Sequence, residues 1–235
     1  MRLILVMLSL LLLITAIGCG MLGKRTCGSD IEWVDFLKIN SITYNQNHDG
    51  TKEVSAEQLG EKVGEIKYML NGHACTNYKS ANGDAAFLSI GTDVYALKGY
   101  NSNFRVVANN RVYEVSDNPN AKTIGDLMDI EGKVKAVGLE SGRDGSLIGY
   151  FSQDAAMDFS KEILPLPLVG FNEVYKKIKN ETGIFLRLFL KDGTSFRMVY
   201  YPDANAFANG GALGTHKLKL LVTSQRADIK AAAGL

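Results

Sequence analysis

The sequence contains few cysteines, no marked excess of charge, and none of the short motifs of the common enzyme classes. Three cysteines in 235 residues are too few for a disulfide scaffold. There are 26 Lys and Arg residues against 25 Asp and Glu residues, with no basic block, so nucleic acid is not an expected partner. A GxSxG elbow, an SxxK pair, an HExxH pair and a GxxxxGK[ST] loop are all missing. These absences favour a protein that is not an enzyme and holds no cofactor.

The composition that remains is that of a folded globular protein. Hydrophobic residues make up 46% of the chain and charged residues 22%, which argues against general disorder. A chain of this length can bury a core of its own and holds one or two domains.

The N-terminal stretch carries the clearest signal for location. Arg2 is followed by an apolar run from Leu3 to Ile17. As a helix this run would span about 22 Å, short of the roughly 30 Å hydrocarbon core of a membrane. A cleavable secretory signal is therefore favoured over a lasting transmembrane helix. Small residues, Ala16 and Gly18, come shortly before Cys19, and this arrangement resembles a bacterial lipobox.

The lipobox resemblance implies that residues 1–18 are a signal peptide, cleaved between Gly18 and Cys19. The thiol of Cys19 would then carry the lipid, and residues 19–30 would form a short tether. Acyl chains would hold the mature protein at the extracytoplasmic face of the cell membrane, because its balanced charge gives no attraction to anionic lipid. The alternative is a plain secretory signal with an incidental cysteine.

From residue 31 onward the pattern predicts an α+β protein. An antiparallel, β-meander-rich part is expected over residues 31–151, followed at 152–235 by helices packed on a β-hairpin. The second part is either a subdomain or one continuous domain with the first.

Two turns define the predicted meander. Gly91-Thr92 has the glycine-first order of a type II′ turn and predicts a hairpin between strands at 85–90 and 93–98. Asn109-Asn110 predicts a second hairpin with a type I′ turn, because Asn tolerates positive φ.

Capping residues mark the expected helix starts. Ser55 to Gln58 and Thr123 to Asp126 have the spacing of capping boxes. Ser152 is the expected cap of a longer helix, and apolar spacing predicts another helix over 171–178. After Thr215 the pattern fits a helix, with a short strand left open.

A hairpin late in the chain contains two arginines in apolar surroundings. Asp192-Gly193 predicts a two-residue turn between strands at 184–190 and 195–201. That register would place Arg187 and Arg197 on opposite faces. Each guanidinium then needs either an internal acceptor or an anionic ligand or partner.

His73 and Cys75 are the residues that most resemble a reactive or metal-binding pair. On a strand they would point to one face, which permits a zinc pair or a Cys–His nucleophile. A disulfide between Cys75 and Cys27 is also possible outside the cytoplasm, and so is an inert role.

Aromatic residues are concentrated in the β-rich part and include Tyr95 and Tyr100. They could bind a ligand by stacking, or serve as core and cross-strand pairs.

Several segments resemble a group of uncharacterised surface lipoproteins from Bacillus-type Gram-positive bacteria. The resemblance rests on 32–36 (EWVDF), 83–88 (GDAAFL), 91–95 (GTDVY) and 192–197 (DGTSFR). It implies attachment to the outer leaflet of the cell membrane and nothing catalytic.

The sequence as a whole predicts a membrane-anchored, non-catalytic binding or interaction protein. Its expected partner is an envelope protein or a small ligand, with Tyr95, Tyr100, Arg187 and Arg197 as candidate binding residues. The alternative function is a cell-envelope enzyme or metal-binding protein that uses His73 and Cys75.

Overall fold

The computed structural model describes residues 31–235. The predicted signal peptide, the tether, and the cleavage and lipidation residues Gly18 and Cys19 lie outside the described residues. The described part falls into two units, of which the smaller contains 31–32 and 74–78. The larger unit contains 33–73 and 79–235, and it carries both sheets and all the helices described below.

The first sheet has eight strands in the order β3-β6-β7-β8-β2-β1-β5-β4. Neighbouring strands are antiparallel, except that β4 and β5 run parallel. The strands are β1 Phe36–Ile39, β2 Ile42–Gln46, β3 Leu59–Glu65, β4 Tyr68–Met69, β5 Asp84–Ala85, β6 Asp93–Leu97, β7 Arg105–Ala108 and β8 Arg111–Asp117.

One of the two predicted meander hairpins is confirmed, and the other is wrong. Asn109 and Asn110 have φ values of 50° and 60° and join β7 to β8 in a two-residue turn. Of residues 85–90, Ala85 alone lies in a strand, and β6 pairs with β3 and β7 instead. Gly91 sits in a turn closed by the amide of Thr92, which donates to the carbonyl of Ser89 at 3.1 Å.

The second sheet has six antiparallel strands in the order β10-β9-β11-β12-β13-β14. The strands are β9 Val134–Glu140, β10 Leu147–Tyr150, β11 Ile184–Leu190, β12 Ser195–Tyr201, β13 Ala206–Phe207 and β14 Ala212–Leu213. The first two of them precede residue 151, so the predicted boundary at 151/152 runs through this sheet.

Within residues 31–235 four α-helices accompany the sheets, and three of them begin at the predicted caps. They are α1 Ile124–Leu127, α2 Gln153–Ile163, α3 Phe171–Ile178 and α4 His216–Ala232. The hydroxyl of Thr123 accepts from the amide of Asp126 at 3.1 Å, and the Asp126 carboxylate accepts from the amide of Thr123 at 2.9 Å. Ser152 caps α2 and Thr215 caps α4, so the strand alternative after Thr215 is wrong. Helix α2 packs against β9 and α4, and α4 also contacts β10.

The larger unit has one main hydrophobic core, to which both sheets contribute. Tyr44 and Val106 from the first sheet belong to the same buried cluster as Leu188 from the second and Phe159 from α2. Each fully buried side chain of this size contributes about 1.5–3 kcal/mol to folding. The mixed composition of residues 31–235, mostly strands with four α-helices, is consistent with the predicted α+β class.

Candidate functional site

The turn between β11 and β12 differs from the predicted one and changes which residues meet. The amide of Gly193 donates to the carbonyl of Leu190 at 3.1 Å, and the amide of Leu190 donates to the carbonyl of Thr194 at 2.8 Å. With Gly193 at φ 85°, this is a three-residue loop that ends in a left-handed residue. The register is therefore one residue away from the predicted one, and Arg187 lies directly opposite Arg197. The prediction that the two arginines lie on opposite faces is wrong.

Both arginines converge on Glu140, which comes from β9 and is 5% exposed. Nε of Arg187 donates to Oε1 of Glu140, and Nε of Arg197 donates to Oε2 at 2.5 Å. Nη1 of Arg187 also donates to the hydroxyl of Ser195 at 3.2 Å. These four residues are called the Glu140 cluster below.

Sheet pairing and Gly145 create the space for the Glu140 cluster. Strand β11 pairs with β9 so that Arg187 lies opposite Gly138, two residues along β9 from Glu140 and on the same face. Gly145, at φ 73°, leaves room for Nη2 of Arg197, which a Cβ there would approach to 2.9 Å. A side chain at position 145 would therefore displace the Arg197 guanidinium.

A second polar group, the Arg105 cluster, contacts the same hairpin and consists of Arg105, Glu114, Thr194, Tyr100 and Asp192. Arg105 is fully buried, and its Nε and Nη2 donate to Oε1 of Glu114 at 2.9 and 2.5 Å. Its Nη1 donates to the hydroxyl of Thr194 at 2.8 Å. The Tyr100 ring lies 4.6 Å from the guanidinium carbon, and the Tyr100 hydroxyl donates to Asp192 at 2.6 Å. Tyr100, predicted as a recognition residue, therefore supports a buried arginine.

The pKa values of the two carboxyl groups in the Arg105 cluster, Glu114 and Asp192, are shifted in opposite directions. Burial raises the pKa of Glu114, against the opposing charge of Arg105 and the hydrogen bonds from Asn47 and Arg105. Burial also acts to raise the pKa of Asp192, but hydrogen bonds from Tyr100 and Thr194, with the charge of Arg105, hold it below its ordinary value of 3.8.

Asn47 joins the two clusters. Its Nδ2 donates to Oε1 of Glu114 at 2.9 Å and to the carbonyl of Ser195 at 2.8 Å. Its Oδ1 accepts from the amide of Gly50 at 2.9 Å, and the carbonyl of Gly50 accepts from the amide of Ser195 at 2.8 Å. A loop after β2 is thereby fastened to the first residue of β12.

A cleft of about 480 Å³ opens beside these clusters, and we call it the arginine cleft. This volume lies within the range of small-molecule sites. Ten of its fifteen lining residues are polar or charged, and they include carboxamides, two arginines and two acids. Its lining residues are Asn45, Gln46, Asn47, His48, Asp49, Glu114, Val115, Ser116, Arg187, Phe196, Arg197, Val199, Ala208, Asn209 and Gly210.

Gln46 stands out in the wall of the arginine cleft. Its Oε1 is buried and accepts no hydrogen bond from the described residues. Leaving such an acceptor unpaired costs about 1–3 kcal/mol.

A larger cavity, of about 1160 Å³, lies beside α1 and α2. Two of its three acids are already engaged: Asp126 accepts the amides of the α1 cap, and Asp129 pairs with Lys133 at 2.6 Å, while Glu131 is exposed to solvent. Its lysines, Lys135, Lys161 and Lys191, are exposed to solvent. The arginine cleft, where charged groups are fixed by buried partners, is the better-organised site.

The remaining predicted site residues lie outside the arginine cleft. The hydroxyl of Tyr95 donates to Asp93 at 3.0 Å. His73 is exposed, with Nδ1 at 2.9 Å from the carbonyl of Asn71.

Cys75 is disulfide-bonded. A disulfide sulfur is neither a thiolate ligand nor a nucleophile, so the His73–Cys75 site lacks the thiol that its predicted chemistry requires. The predicted disulfide partner, Cys27, lies outside the described residues. Within residues 31–235 no three His, Cys, Asp or Glu residues are grouped so as to hold a metal ion.

Among the helices of residues 31–235, none has the length and apolar character needed to span a bilayer. The predicted lipid attachment at Cys19 concerns a residue outside this range and stays a prediction.

Comparison with known proteins adds no assignment: no family model, no curated protein and no solved structure matches the chain.

Proposed function

We propose that the chain is an extracytoplasmic, lipid-anchored binding protein that holds a small ligand in the arginine cleft without transforming it. The observation that carries this proposal is the position of Arg187 and Arg197. Both line the cleft, and the buried Glu140 takes one Nε from each, so other guanidinium N–H groups remain free to donate.

The polar groups of the cleft favour binding over catalysis. The hydroxyl of Ser116 donates to the carbonyl of Thr43 at 3.2 Å and contacts Oδ1 of Asn45 at 3.3 Å, rather than a base that could activate it. Asn209 is also held in place, because its Oδ1 accepts from the amide of Val199 at 3.0 Å. A wall of fixed donors and acceptors suits recognition of a ligand.

The location part of the proposal rests on the sequence. The apolar run before Cys19 and the small residue Gly18 resemble a lipobox, and lipidation there would keep the arginine cleft outside the cytoplasm. Metabolic labelling with a tagged fatty acid, in a bacterium that lipidates such proteins, tests it. We expect label on the wild-type chain and none on Cys19→Ala; equal labelling of both would contradict the anchor.

The binding part is tested by screening the full chain, purified in detergent, against a mixed library of small anions, sugars, amino acids and peptides. Native mass spectrometry reports bound compounds. We expect at least one compound to bind wild type and to be lost from Arg197→Gln. The control is Arg226→Gln, which removes one positive charge from an exposed position on α4. A screen without an Arg197-dependent compound would refute the proposed function.

A further inference from the structure

The hydrogen-bond donors of the Glu140 cluster are only partly used. An arginine carries five N–H groups. Arg187 uses its Nε for Glu140 and one Nη1 hydrogen for Ser195, whereas Arg197 uses its Nε alone. The other N–H groups donate to no acceptor among the described residues. The side chain of Arg197 is 36% exposed, so its Nη1–Nη2 edge is accessible to a ligand.

That edge has the geometry of a carboxylate receptor. A guanidinium holds a carboxylate through two parallel N–H bonds, and such charge-assisted pairs are about twice as strong as neutral hydrogen bonds. Glu140 fixes the Nε corners, so the guanidinium groups are already ordered before a ligand arrives. Little side-chain entropy is then lost on binding.

Glu114 supplies the complementary group. Its Oε1 accepts three hydrogen bonds, two from Arg105 and one from Asn47. Its Oε2 accepts none from the described residues, although Glu114 lines the cleft and its side chain is 15% exposed. The cleft therefore offers free donors at the arginines and a free acceptor at Glu114.

The charges in and directly behind the wall give no excess of positive charge. Three cations face four carboxylates: Arg105, Arg187 and Arg197 against Asp49, Glu114, Glu140 and Asp192. A dianion such as phosphate would add two uncompensated negative charges to this arrangement. A ligand whose own charges or dipoles are separated matches it better.

We infer that the arginine cleft binds a ligand that carries a carboxylate and an N–H donor close together, as an amino acid or the C-terminal residue of a peptide does. The carboxylate lies against the free edge of Arg197, with Arg187 beside it, and the N–H group donates to Oε2 of Glu114. This inference rests on the proposed function, because it names the ligand class of the same cleft.

The test compares the binding of small probes to the full chain by thermal unfolding in detergent. A ligand raises the midpoint temperature of unfolding by an amount set by its concentration relative to its Kd. Glycine represents a free amino acid, and N-acetylglycine represents a peptide C-terminus. Acetate lacks the N–H donor, glycinamide lacks the carboxylate, and inorganic phosphate is the competing oxyanion. We expect glycine or N-acetylglycine to bind about tenfold or more tightly than the other three probes. Tighter binding of glycine identifies a free amino acid as the ligand, and tighter binding of N-acetylglycine identifies a peptide C-terminus.

Variants add an independent readout. Arg197→Gln should weaken the favoured probe by about tenfold or more, and Arg197→Lys should weaken it as well, because an ammonium keeps the charge without the two-donor edge. Arg226→Gln should leave binding unchanged. Equal loss in Arg226→Gln would show attraction by overall charge and would overturn the inference.

The probe series on wild type decides the ligand class even if a variant folds poorly. Acetate or phosphate binding as tightly as the favoured probe, or no binding by glycine and N-acetylglycine, would overturn the inference. If the library screen still finds an Arg197-dependent compound, the ligand class alone is wrong. If that screen is also empty, the proposed function fails with it.

Discussion

Replacing Glu140 by Gln removes the only negative charge in the Glu140 cluster while keeping its shape. Glu140 is 5% exposed, and the side chains of Arg187 and Arg197 are 12% and 36% exposed. Removing one partner of a fully buried ion pair costs about 3–5 kcal/mol. Arg197 can regain water and the amide oxygen still accepts one hydrogen bond, so we expect Glu140→Gln to lower the free energy of unfolding by about 2–3 kcal/mol.

The matched control is Glu173→Gln on α3. Glu173 pairs with Lys176 at 2.6 Å, but both side chains are more than half exposed. Such a surface pair contributes about 0.5 kcal/mol or less. Urea unfolding of the full chain, followed by circular dichroism, measures both variants under the same conditions. A loss below about 1 kcal/mol in Glu140→Gln, or equal losses in the two variants, would refute the reasoning that Glu140 neutralises two otherwise unpaired cations.

Three further perturbations test other parts of the network. The lowered pKa of Asp192 gives stability that is present above pH 3.8 and is lost as the pH falls through its folded-state pKa. Between about pH 5 and about pH 3 the free energy of unfolding in urea should therefore decrease less steeply for Asp192→Asn than for wild type, and equal slopes would contradict this. Gly50→Ala places a Cβ 1.7 Å from the carbonyl oxygen of Ser195, so a loss of about 3 kcal/mol or more is expected in the same assay, and a loss under about 1 kcal/mol would mean that the loop moves freely. Gln46→Leu removes a buried unpaired acceptor and should leave stability unchanged or raise it by about 1 kcal/mol, whereas a comparable loss would show that Gln46 has a partner.

The features that were predicted correctly depend on interactions between residues close together in the sequence. The capping box of Thr123 and Asp126 forms because the two residues satisfy each other's backbone amides. The Asn109-Asn110 turn forms because Asn tolerates the positive φ that a type I′ turn requires. No distant part of the chain is needed for either.

The wrong predictions concern places where two local structures are nearly equal in energy. Asp-Gly fits a two-residue turn and also a three-residue loop. Here Oδ1 of Asp192 accepts from the amide of Thr194 at 2.9 Å, which holds the longer loop. A shift of one residue reverses the face of every side chain on a strand. The sequence therefore identified Arg187 and Arg197 as residues in need of partners, yet it missed that they face each other.

Residues from distant segments complete the site, and their sequence signals are weak. Glu140 comes from a strand assigned to the preceding part, and Asn47 comes from a loop more than a hundred residues before the hairpin. Glu140 belongs to no motif. A carboxylate at the end of a strand that is apolar except for Lys135 was the one available signal for Glu140, because such a residue needs a cation when it is buried.

Stability alone does not account for this concentration of buried charge. Buried ion pairs contribute little net stability compared with apolar side chains of similar volume, because each ion loses its hydration. A sheet with apolar residues at the positions of Arg187, Arg197 and Glu140 would close in the same way with no charge to compensate. What the arginines add is a set of oriented N–H donors at the cleft wall, held in place by Glu140 and Ser195. Substituting Arg187, Arg197 and Glu140 together by apolar residues should therefore preserve folding better than Glu140→Gln does, while removing ligand binding altogether; a larger loss of stability in the triple variant would contradict this.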